Sequence, residues 1–282
     1  MKILTFDIED WFHILDNPGT RTISDWGKFE TRIHRNMDII HEICSKNNSK
    51  ATFFILGWIA EKYPEIVKKI SDLGYEIGSH TYSHQLVFEQ NQKQFSNDLE
   101  RSIKVLENLT GKKVKCFRAP GFSITEKTLW AFESLIKNGI EYDCSVFSSV
   151  RAHGGMTSKT INLPCRISYK GLNIKEFPIN THKIAGFNTV FSGGGYFRFF
   201  PYKFIKNWTN KSEYTMTYFH PRDFDFHQPI LKNISIYRKF KLYYGINGCK
   251  NKLEKLLSEF DFSDMQQASS NIDWKKTEII NI

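Results

Sequence analysis

Short apolar runs alternate with amphipathic helical stretches along the first half of the 282-residue chain. The apolar runs predict buried strands at residues 2–6, 51–56, 75–78, 114–117 and 141–142. Apolar positions at helical spacing predict helices at residues 32–44, 61–73, 95–109 and 125–137. Because a helical connection lets consecutive strands run parallel, this order predicts an open doubly wound sheet or a barrel.

The second half of the chain is less regular. Two further strands are predicted there, at residues 175–178 and 213–218. Residues 150–200 are rich in glycine and predict long loops over one face of the domain. A chain of this length fits one α/β domain, which we expect to span residues 1–263. The polar residues 264–282 predict a poorly packed C-terminal tail.

Basic residues outnumber acidic residues by 39 to 30, which gives a net charge of +9. Such a charge attracts nucleic acid, a membrane surface or an anionic polymer. A solvated, lysine-rich surface explains the charge more simply, because the lysines are spread along the chain without a run of five. The charge alone therefore does not identify a partner.

The five cysteines include no C-x-x-C pair, unlike a disulfide framework or a zinc ribbon. Buried free thiols in a reducing compartment are the simplest interpretation. An acidic residue at position 7 interrupts the apolar N-terminus, so no signal peptide is expected. No apolar stretch approaches the ~18 residues of a membrane span. We therefore expect a cytoplasmic protein without an integral membrane segment.

Carboxylates and histidines follow the first and third predicted strands. Asp7, Glu9 and Asp10 place three acidic residues within four positions, and such a cluster needs a metal ion, an arginine or open water. A solvated acidic turn explains them equally well. His80 and His84 lie four residues apart, so on a helical turn they would share one face and bind one metal ion.

An arginine, an aspartate and a histidine follow the fourth, fifth and last predicted strands. Arg118 needs a carboxylate partner if it is buried, whereas in an ordinary strand-to-helix turn it would be exposed. Asp143 and His220 are each unremarkable alone. Because the carboxyl ends of parallel strands converge at one mouth of a barrel, we expect all these side chains to meet. One carboxylate with two histidines makes three metal ligands, which leaves a coordination position open for water. The remaining carboxylate of the acidic cluster and His220 can then act as general base and general acid.

The motif order resembles that of a known family. The motifs are Thr5-Phe6-Asp7, Ser79-His80-x-x-x-His84, Arg118-x-Pro120-x-x-Ser123, Asp143 and Phe219-His220. They resemble the polysaccharide deacetylases with NodB homology, carbohydrate esterase family 4, from residue 1 to about residue 225. The motifs around residues 7–13, 193–198 and 218–221 look closer to a branch associated with bacterial exopolysaccharide and cell-envelope loci. The resemblance implies a distorted (β/α) barrel of seven or eight parallel strands, with residues 1–263 as the catalytic domain.

The resemblance also implies an activity, which is metal-dependent hydrolysis of an N-acyl amide, expected to be N-acetyl, on a sugar or polysaccharide precursor. Asp7 would be the general base and His220 the general acid. Arg118 would orient Asp7, and Asp143 would support His220.

The first motif departs from the family pattern of two adjacent aspartates, because Ile8 follows Asp7. Glu9 and Asp10 are therefore both candidates for the carboxylate ligand beside the two histidines, and we favour Glu9. The expected metal is divalent, with zinc ahead of cobalt and nickel.

The expected partner is an N-acetylated glycan, with peripheral contact to a lipid-linked substrate and no nucleic acid. The residues expected to contact it are Trp11, Pro120, Gly121, Phe122 and Tyr196. Core packing explains Trp11 and Phe122 equally well. The three glycines at 193–195 predict either a bend that brings Tyr196 and Phe197 towards the substrate or a flexible loop.

Two other functions fit the same residues. A hydrolase of the same fold could act on a non-sugar amide, as allantoinase-like relatives do, because no single residue here selects a sugar. The second alternative is a non-catalytic glycan-binding protein on a decayed barrel, although every catalytic position except the altered first motif is filled.

Overall fold

The structure is a computed structural model that describes residues 1–15, 17–20, 22–148, 154–156, 161–184, 187–232 and 234–282. Its strands are β1 (Lys2–Ile3), β2 (Thr5–Ile8), β3 (Thr52–Ile55), β4 (Glu76–Ser79), β5 (Cys116–Phe117), β6 (Tyr142–Asp143), β7 (Cys165–Tyr169), β8 (Leu172–Glu176), β9 (His182–Ile184), β10 (Phe187–Thr189), β11 (Thr215–Met216) and β12 (Ile279–Asn281). Its α-helices are α1 (Ile23–Trp26), α2 (Ile33–Lys46), α3 (Gly57–Lys62), α4 (Pro64–Asp72), α5 (Gln92–Thr110), α6 (Trp130–Lys137), α7 (Gly194–Phe199), α8 (Tyr202–Lys211), α9 (Ile236–Tyr243), α10 (Cys249–Glu259) and α11 (Met265–Ser270).

A mostly parallel sheet forms the centre of the molecule, in the order β12-β7-β8-β6-β5-β4-β3-β2. From β2 to β6 every pair of neighbours is parallel and consecutive in the chain, with helices in the connections. A parallel bridge between Phe6 and Phe219, next to the β1–β11 pair, continues the sheet beyond β2. The fold is therefore the predicted α/β class, in the form of a distorted barrel.

One hairpin contradicts the prediction of long loops within residues 150–200 and of an entirely parallel sheet. Strand β7 runs antiparallel to β8, with Tyr169 paired to Leu172 at the turn. Lys170 and Gly171 have φ angles of +50° and +80°, which fit the two-residue turn whose twist matches that of the flanking strands. Because Lys-Gly is a weaker turn signal than Asn-Gly or Asp-Gly, the sequence pattern did not reveal the hairpin.

Two predicted helices differ from the observed ones in their bounds. The predicted helix over residues 61–73 is divided into α3 and α4, because Pro64 has no N–H and begins a helix instead of continuing one. Helix α6 begins at Trp130 and not at residue 125. The Thr125 N–H donates to the Thr128 hydroxyl at 2.9 Å, which makes a separate turn before α6.

The expectation of a poorly packed C-terminal tail is wrong. Met265 at the start of α11 is fully buried, and β12 pairs in parallel with β7. The Met265 N–H donates to the Thr52 hydroxyl at 2.9 Å, and the Gln266 N–H donates to the Glu76 carboxylate at 3.0 Å. The first N–H groups of α11 thus find partners on β3 and β4, a contact that local polarity does not show. The domain boundary at residue 263 stays a prediction.

Strands β2 and β3, which contain Phe6, Phe53 and Phe54, form part of the hydrophobic core below the site. All residues of β2 and β3 are buried, as in parallel sheets that are covered on both faces. The rings of Phe6 and Phe53 stack across these strands with centroids 5.3 Å apart. Side chains that follow these strands are therefore held by a packed core.

The five cysteines are buried and free, as the sequence predicted. No helix in the described part of the chain is long and apolar enough to cross a membrane.

Candidate active site

Glu9, His80 and His84 meet at the carboxyl ends of β2 and β4. One carboxylate oxygen, Glu9 Oε1, lies 3.2 Å from His80 Nε2 and 3.1 Å from His84 Nε2. All three side chains are buried, and the potential ligand atoms lie within 4.8 Å of one another. The structure therefore brings together one carboxylate and two imidazoles, the donor set of a divalent metal ion.

The protonation of His80 shows that this donor set fits a cation. His80 Nδ1 lies 2.7 Å from the backbone oxygen of Arg118, so Nδ1 carries the proton and donates it. His80 Nε2 then has a bare lone pair that faces a carboxylate, and buried His84 Nε2 has no hydrogen-bond partner among the described residues. Lone pairs so close repel unless positive charge lies between them. In a tetrahedral zinc site the ligand atoms lie roughly 3.4 Å apart, close to the distances found here.

Asp10, the other candidate ligand, has different partners. Its carboxylate accepts hydrogen bonds from the Trp11 N–H at 2.8 Å, the Thr31 hydroxyl at 2.7 Å and the Arg32 N–H at 2.9 Å. It therefore caps the short turn after β2 and anchors the start of α2. Burial raises the pKa of Asp10.

The histidine pair lies on a loop and not on the helical turn that its spacing suggested. Thr81 and His84 have φ angles of +66° and +55°, in the left-handed region that such residues rarely adopt. The His84 N–H donates to the Thr81 hydroxyl at 3.1 Å, and the Gly57 N–H donates to the Thr81 carbonyl at 2.9 Å. These bonds offset the backbone strain and hold both rings towards Glu9.

Asp7 and Arg118 form a buried ion pair beside this donor set. Arg118 is fully buried, and its Nη1 donates to Asp7 Oδ1 and to the Thr5 hydroxyl, both at 2.7 Å. Burial acts to lower the pKa of Arg118, but the charge of Asp7 outweighs it and the pKa is raised. The guanidinium carbon also lies 4.5 Å from the centroid of the Phe54 ring. Arg118 is therefore paired as the sequence required of a buried arginine, and Asp7 Oδ2 is left to face the cavity.

His220 enters from the opposite side of the cavity. Its Nε2 lies 3.8 Å from both Asp7 Oδ2 and Glu9 Oε1. Its Nδ1 lies 3.2 Å from the Asp223 carboxylate, which ion-pairs with Arg198 Nε at 3.0 Å. Burial opposes the charged imidazolium, but Asp223, Glu9 and Asp7 outweigh it and raise the pKa of His220 to about 9. His220 therefore carries a proton at neutral pH.

The expected partnership of Asp143 with His220 is replaced by Asp223. Asp223 stands three residues after His220 in the short turn Pro221–Phe224, so the contact is local. Asp143 accepts hydrogen bonds from the hydroxyl and the N–H of Ser145, at 2.6 and 3.2 Å. It lies beside Glu176, and burial raises the pKa of both carboxyl groups. Asp143 thus belongs to a buried carboxyl pair below the site.

These groups line a cavity of about 520 Å³. Among the residues expected to contact substrate, Gly121 and Phe122 line it, together with Tyr218. Trp11 is placed in the core instead, where its Nε1–H donates to the Glu30 carbonyl at 2.9 Å. The other two expected contacts also lie outside the described lining: Pro120 is buried, and Tyr196 is 40% exposed on α7.

His13 lines a second cavity, of about 770 Å³, which shares His84 with the first. Its Nδ1 accepts the Asp10 N–H at 2.8 Å, which leaves the ring proton on Nε2. Burial and the neighbouring His84 hold the pKa of His13 well below its usual range. His13 is therefore neutral and is part of the wall, outside the donor set.

The glycines at 193–195 serve packing, a role that differs from both sequence expectations. Gly193 bridges to Tyr218, and a Cβ on Gly193 would lie 2.1 Å from the Tyr218 carbonyl oxygen. Only glycine allows the two backbones to approach so closely. Phe197 then packs on Phe219 with ring centroids 4.9 Å apart. This segment therefore supports the strand end that carries His220.

Sequence reasoning missed Asp223 and Arg198. The His-Pro-Arg-Asp run could have indicated Asp223, since a carboxylate three residues after a histidine reaches it in a turn. Arg198 has no such local signal, because its partners lie 25 or more positions along the chain.

Comparison with known proteins matches part of this chain to a family. Residues 21–139, which are less than half of the chain, match the family model for polysaccharide deacetylases. His80, His84 and Arg118 lie within this part of the chain. Residues 144–270 match a second model, described as a domain of unknown function, DUF3473. The resemblance seen in the motif order is therefore confirmed. His220, Asp223 and Arg198 lie in the part matched by the second model.

Relatives of this chain carry related names. A peptidoglycan-N-acetylglucosamine deacetylase of Bacillus cereus is 43% identical over 89 residues, which are 31% of this chain and 32% of the relative. A peptidoglycan deacetylase of Helicobacter pylori is 33% identical over 105 residues, 37% of this chain and 35% of the relative. The matched part is thus about a third of the length of either curated relative.

A solved structure confirms the fold. A Mycobacterium smegmatis structure assigned to the polysaccharide deacetylases has a TM-score of 0.65 at 18% identity, and the match covers 98% of this chain and 91% of that one. At this identity the likeness concerns the fold alone. It extends over nearly the whole chain, including the part that follows residue 139.

Proposed function

We propose that this protein is a metal-dependent hydrolase that removes N-acetyl groups from a glycan. One observation carries the proposal. Glu9, His80 and His84 share one cavity with Asp7 and His220. In this cavity His220 Nε2 lies 3.8 Å from both Glu9 Oε1 and Asp7 Oδ2. The names of the relatives, peptidoglycan-N-acetylglucosamine and chitooligosaccharide deacetylase, support a sugar amide as the substrate.

Glu9, His80 and His84 would hold the metal ion, and two imidazoles with one carboxylate favour zinc over magnesium or calcium. When bound there, a divalent ion supplies Lewis acidity to the acyl carbonyl oxygen and to water. Asp10 is left as the cap that fixes the direction of the chain after Glu9.

The remaining side chains move the protons. Water adds to the amide carbonyl carbon, and Asp7 accepts a proton from that water through Oδ2, the oxygen that Arg118 leaves free. His220 then donates the proton on Nε2 to the amine nitrogen as the C–N bond breaks. The products are acetate and the free amino sugar. Arg118 orients Asp7 through their ion pair, and Asp223 keeps His220 charged.

The proposed catalytic unit extends beyond the matched residues 21–139. Its proton donor is His220, and Asp223 and Arg198 hold that donor in place. We therefore propose residues 1–263 as the catalytic domain. The buried free cysteines support a reducing compartment such as the cytoplasm.

Acetate release tests the function. The protein is stripped with a chelator, reloaded with Zn²⁺, Co²⁺ or Ni²⁺, and offered N-acetylglucosamine oligomers, peptidoglycan fragments and allantoin. We expect metal-dependent acetate release from the sugars, and release at least about a hundredfold slower from an Asp7→Asn variant that still binds metal. Turnover of allantoin alone would instead favour the non-sugar amide hydrolase. Salt-sensitive glycan binding without release of acetate would favour a binding protein.

A further inference from the structure

Helix α9 (Ile236–Tyr243) is unusual because none of its residues is buried. Ile236 is 87% exposed, Tyr237 67% and Phe240 45%. Two aromatic residues beside them, Phe199 and Tyr244, are each 50% exposed. We call these five residues the α9 patch.

The α9 patch is continuous. The Phe240 ring lies 4.6 Å from the Tyr244 ring and 6.2 Å from the Phe199 ring, measured between centroids. Ile236 and Phe240 lie four residues apart on one side of the helix, and Tyr244 follows directly after its end. Scattered surface apolar residues need no explanation, but a clustered, solvent-facing set indicates a contact surface.

The sequence on both sides of α9 carries charged residues of one sign. Between Asp225 and Glu254 the sequence has no acidic residue and six basic ones, which are Lys232, Arg238, Lys239, Lys241, Lys250 and Lys252. The ammonium of Lys241 lies 4.4 Å from the centroid of the Tyr237 ring. Within the described residues, Lys232, Lys239 and Lys241 are exposed and pair with no carboxylate. Lys239 and Lys241 therefore place positive charge on the same helix as the exposed apolar side chains.

The α9 patch also adjoins the active site. Tyr237, Lys241 and Leu242 line the cavity that holds Asp7 and His220. Arg198, the ion-pair partner of Asp223, also bonds to this helix. Its Nη1 donates to the Tyr244 carbonyl at 2.7 Å, and its Nη2 donates to the Lys241 carbonyl at 3.2 Å. A surface that covers the patch would lie at the mouth of this cavity.

We propose that the α9 patch docks on an anionic lipid bilayer. An interfacial helix of this kind has apolar and aromatic residues on one side, cations beside them and no acidic residue. Lysine stems can lie along the apolar layer while their ammonium groups reach lipid phosphates, and tyrosine suits the same boundary. This charge complementarity favours a lipid surface over a second copy of the chain, whose α9 would bring the same positive charge.

The substrate class follows from the docking, and this step rests on the proposed function. At a bilayer surface, glycans that are attached to lipid have a higher local concentration at the cavity than free polymer has. The N-acetylated substrate is then a lipid-linked glycan at the membrane surface.

Vesicle flotation tests the docking with no substrate present. The full chain is mixed with vesicles of phosphatidylcholine and phosphatidylglycerol, or of phosphatidylcholine alone. We expect binding to the anionic vesicles that weakens as salt is raised. The Ile236→Ser/Phe240→Ser variant should bind at least about tenfold more weakly, because two apolar side chains no longer enter the lipid. Leu73→Ser, which changes a residue 53% exposed after α4, is the matched control and should bind as the parent does.

A second pair of variants tests the charge. Lys232→Gln/Lys239→Gln should lose roughly fivefold in partitioning for each lysine, whereas Lys68→Gln/Lys127→Gln should change little. No binding to anionic vesicles, or equal losses in test and control pairs, would overturn the proposal. Self-association that the Ile236→Ser/Phe240→Ser variant abolishes, without lipid binding by the parent, would assign the patch to a second copy instead.

Acetate release from a water-soluble N-acetylated oligomer separates the two proposals. Ile236 and Phe240 do not line the cavity in the described structure, so the variant should keep the parent rate on that substrate. Lipid binding without acetate release would refute the proposed function and leave the docking intact. Acetate release without lipid binding would refute the docking and leave the proposed function intact.

Discussion

The ligand side of the cavity (Glu9, His80 and His84) and the acid side (His220, Asp223 and Arg198) differ in how they are held. Glu9 follows β2 and the histidines follow β4, so the register of neighbouring parallel strands places them. His220 needs the ion pair between Asp223 and Arg198, and Arg198 comes from α7. His80 and His84 lie within residues 21–139, which match one family model, and the acid side lies within residues 144–270, which match the other.

The two sides of the cavity depend on different kinds of contact. On the ligand side, a regular sheet positions side chains as a consequence of strand order, so short motifs are enough. On the acid side, buried charges hold one another, and removing one leaves another uncompensated. Changes to the ligand side should therefore remove metal, and changes to the acid side should alter protonation.

The largest effect is expected from Glu9→Ala, compared with Asp10→Ala. Glu9→Ala should lose the metal ion and lower kcat/KM by more than about 10³-fold, roughly 4 kcal/mol of transition-state stabilisation. Asp10→Ala should keep the metal and lose about 1 kcal/mol of folding stability, because it removes a cap. Metal analysis after gel filtration and urea unfolding distinguish the two. Greater metal loss from Asp10→Ala would show that the cap is the ligand.

Asp7→Asn should come next. The amide keeps the shape of Asp7 but cannot accept a proton, so kcat should fall by ~10²–10⁴ while metal content stays at the parent level. The variant also leaves Arg118 buried without its counter-charge, which should lower the unfolding temperature. Both are measured on one metal-loaded sample. A kcat close to that of the parent would remove Asp7 from the mechanism.

A smaller effect, on the pH profile, is expected from Asp223→Asn. Asp223 helps raise the pKa of His220 to about 9, so the protonated acid persists up to that pH and is lost above it. Without the carboxylate, the alkaline limb of kcat/KM should move down towards the ordinary histidine value of ~6.5.

Asp143→Asn is the matched control, because Asp143 bonds to Ser145 and not to His220. The alkaline limb of the kcat/KM profile of this variant should stay at the pH found for the parent protein. A shift in Asp143→Asn alone would restore the original sequence prediction and refute the acid side as described.

The smallest effect concerns the contact between the two halves of the chain, where Glu76 of β4 accepts the Gln266 N–H. Burial raises the pKa of Glu76 to about 7. The folded protein then holds this proton more tightly than the unfolded chain, so its contribution to stability is complete at pH 4 and is lost as pH rises through 7. Glu76→Gln should remove that loss and raise the free energy of unfolding at pH 8 by about 2–3 kcal/mol relative to the parent.

Glu141→Gln serves as the control of opposite sign. Lys115 lowers the pKa of Glu141, so its contribution is present above its unfolded pKa and lost as pH falls through the folded value. The substitution should reduce stability at pH 8 or leave it unchanged. Stabilisation by both variants would point to a general charge effect and not to the buried Glu76 contact.

The strands and helices of residues 1–143 could be predicted from the residue pattern, because from β2 to β6 each strand pairs with the next strand along the chain. Buried runs such as residues 51–56 and helical spacing in residues 32–44 fixed strand order, and strand order predicted that Asp7, His80 and Arg118 would meet. The pattern failed where a single residue overrides periodicity, as at Pro64, and where a Lys-Gly turn joins an antiparallel pair. It also failed for the polar C-terminus, whose backbone N–H groups find partners on β3 and β4.

The α/β class, the motif order and the residue types of the site follow from the amino acids alone, because hydrophobic pattern and chemical identity are local properties of a chain. The partners of the site residues do not follow in this way: Glu9 contacts the histidines while Asp10 caps a turn, and Asp223 stands beside His220 in place of Asp143. The exposure of α9 beside the cavity is likewise a property of the folded chain. Hydrogen bonding and charge pairing depend on distances of about 3 Å between atoms. Residues far apart in sequence reach such distances only through the packing of the whole fold.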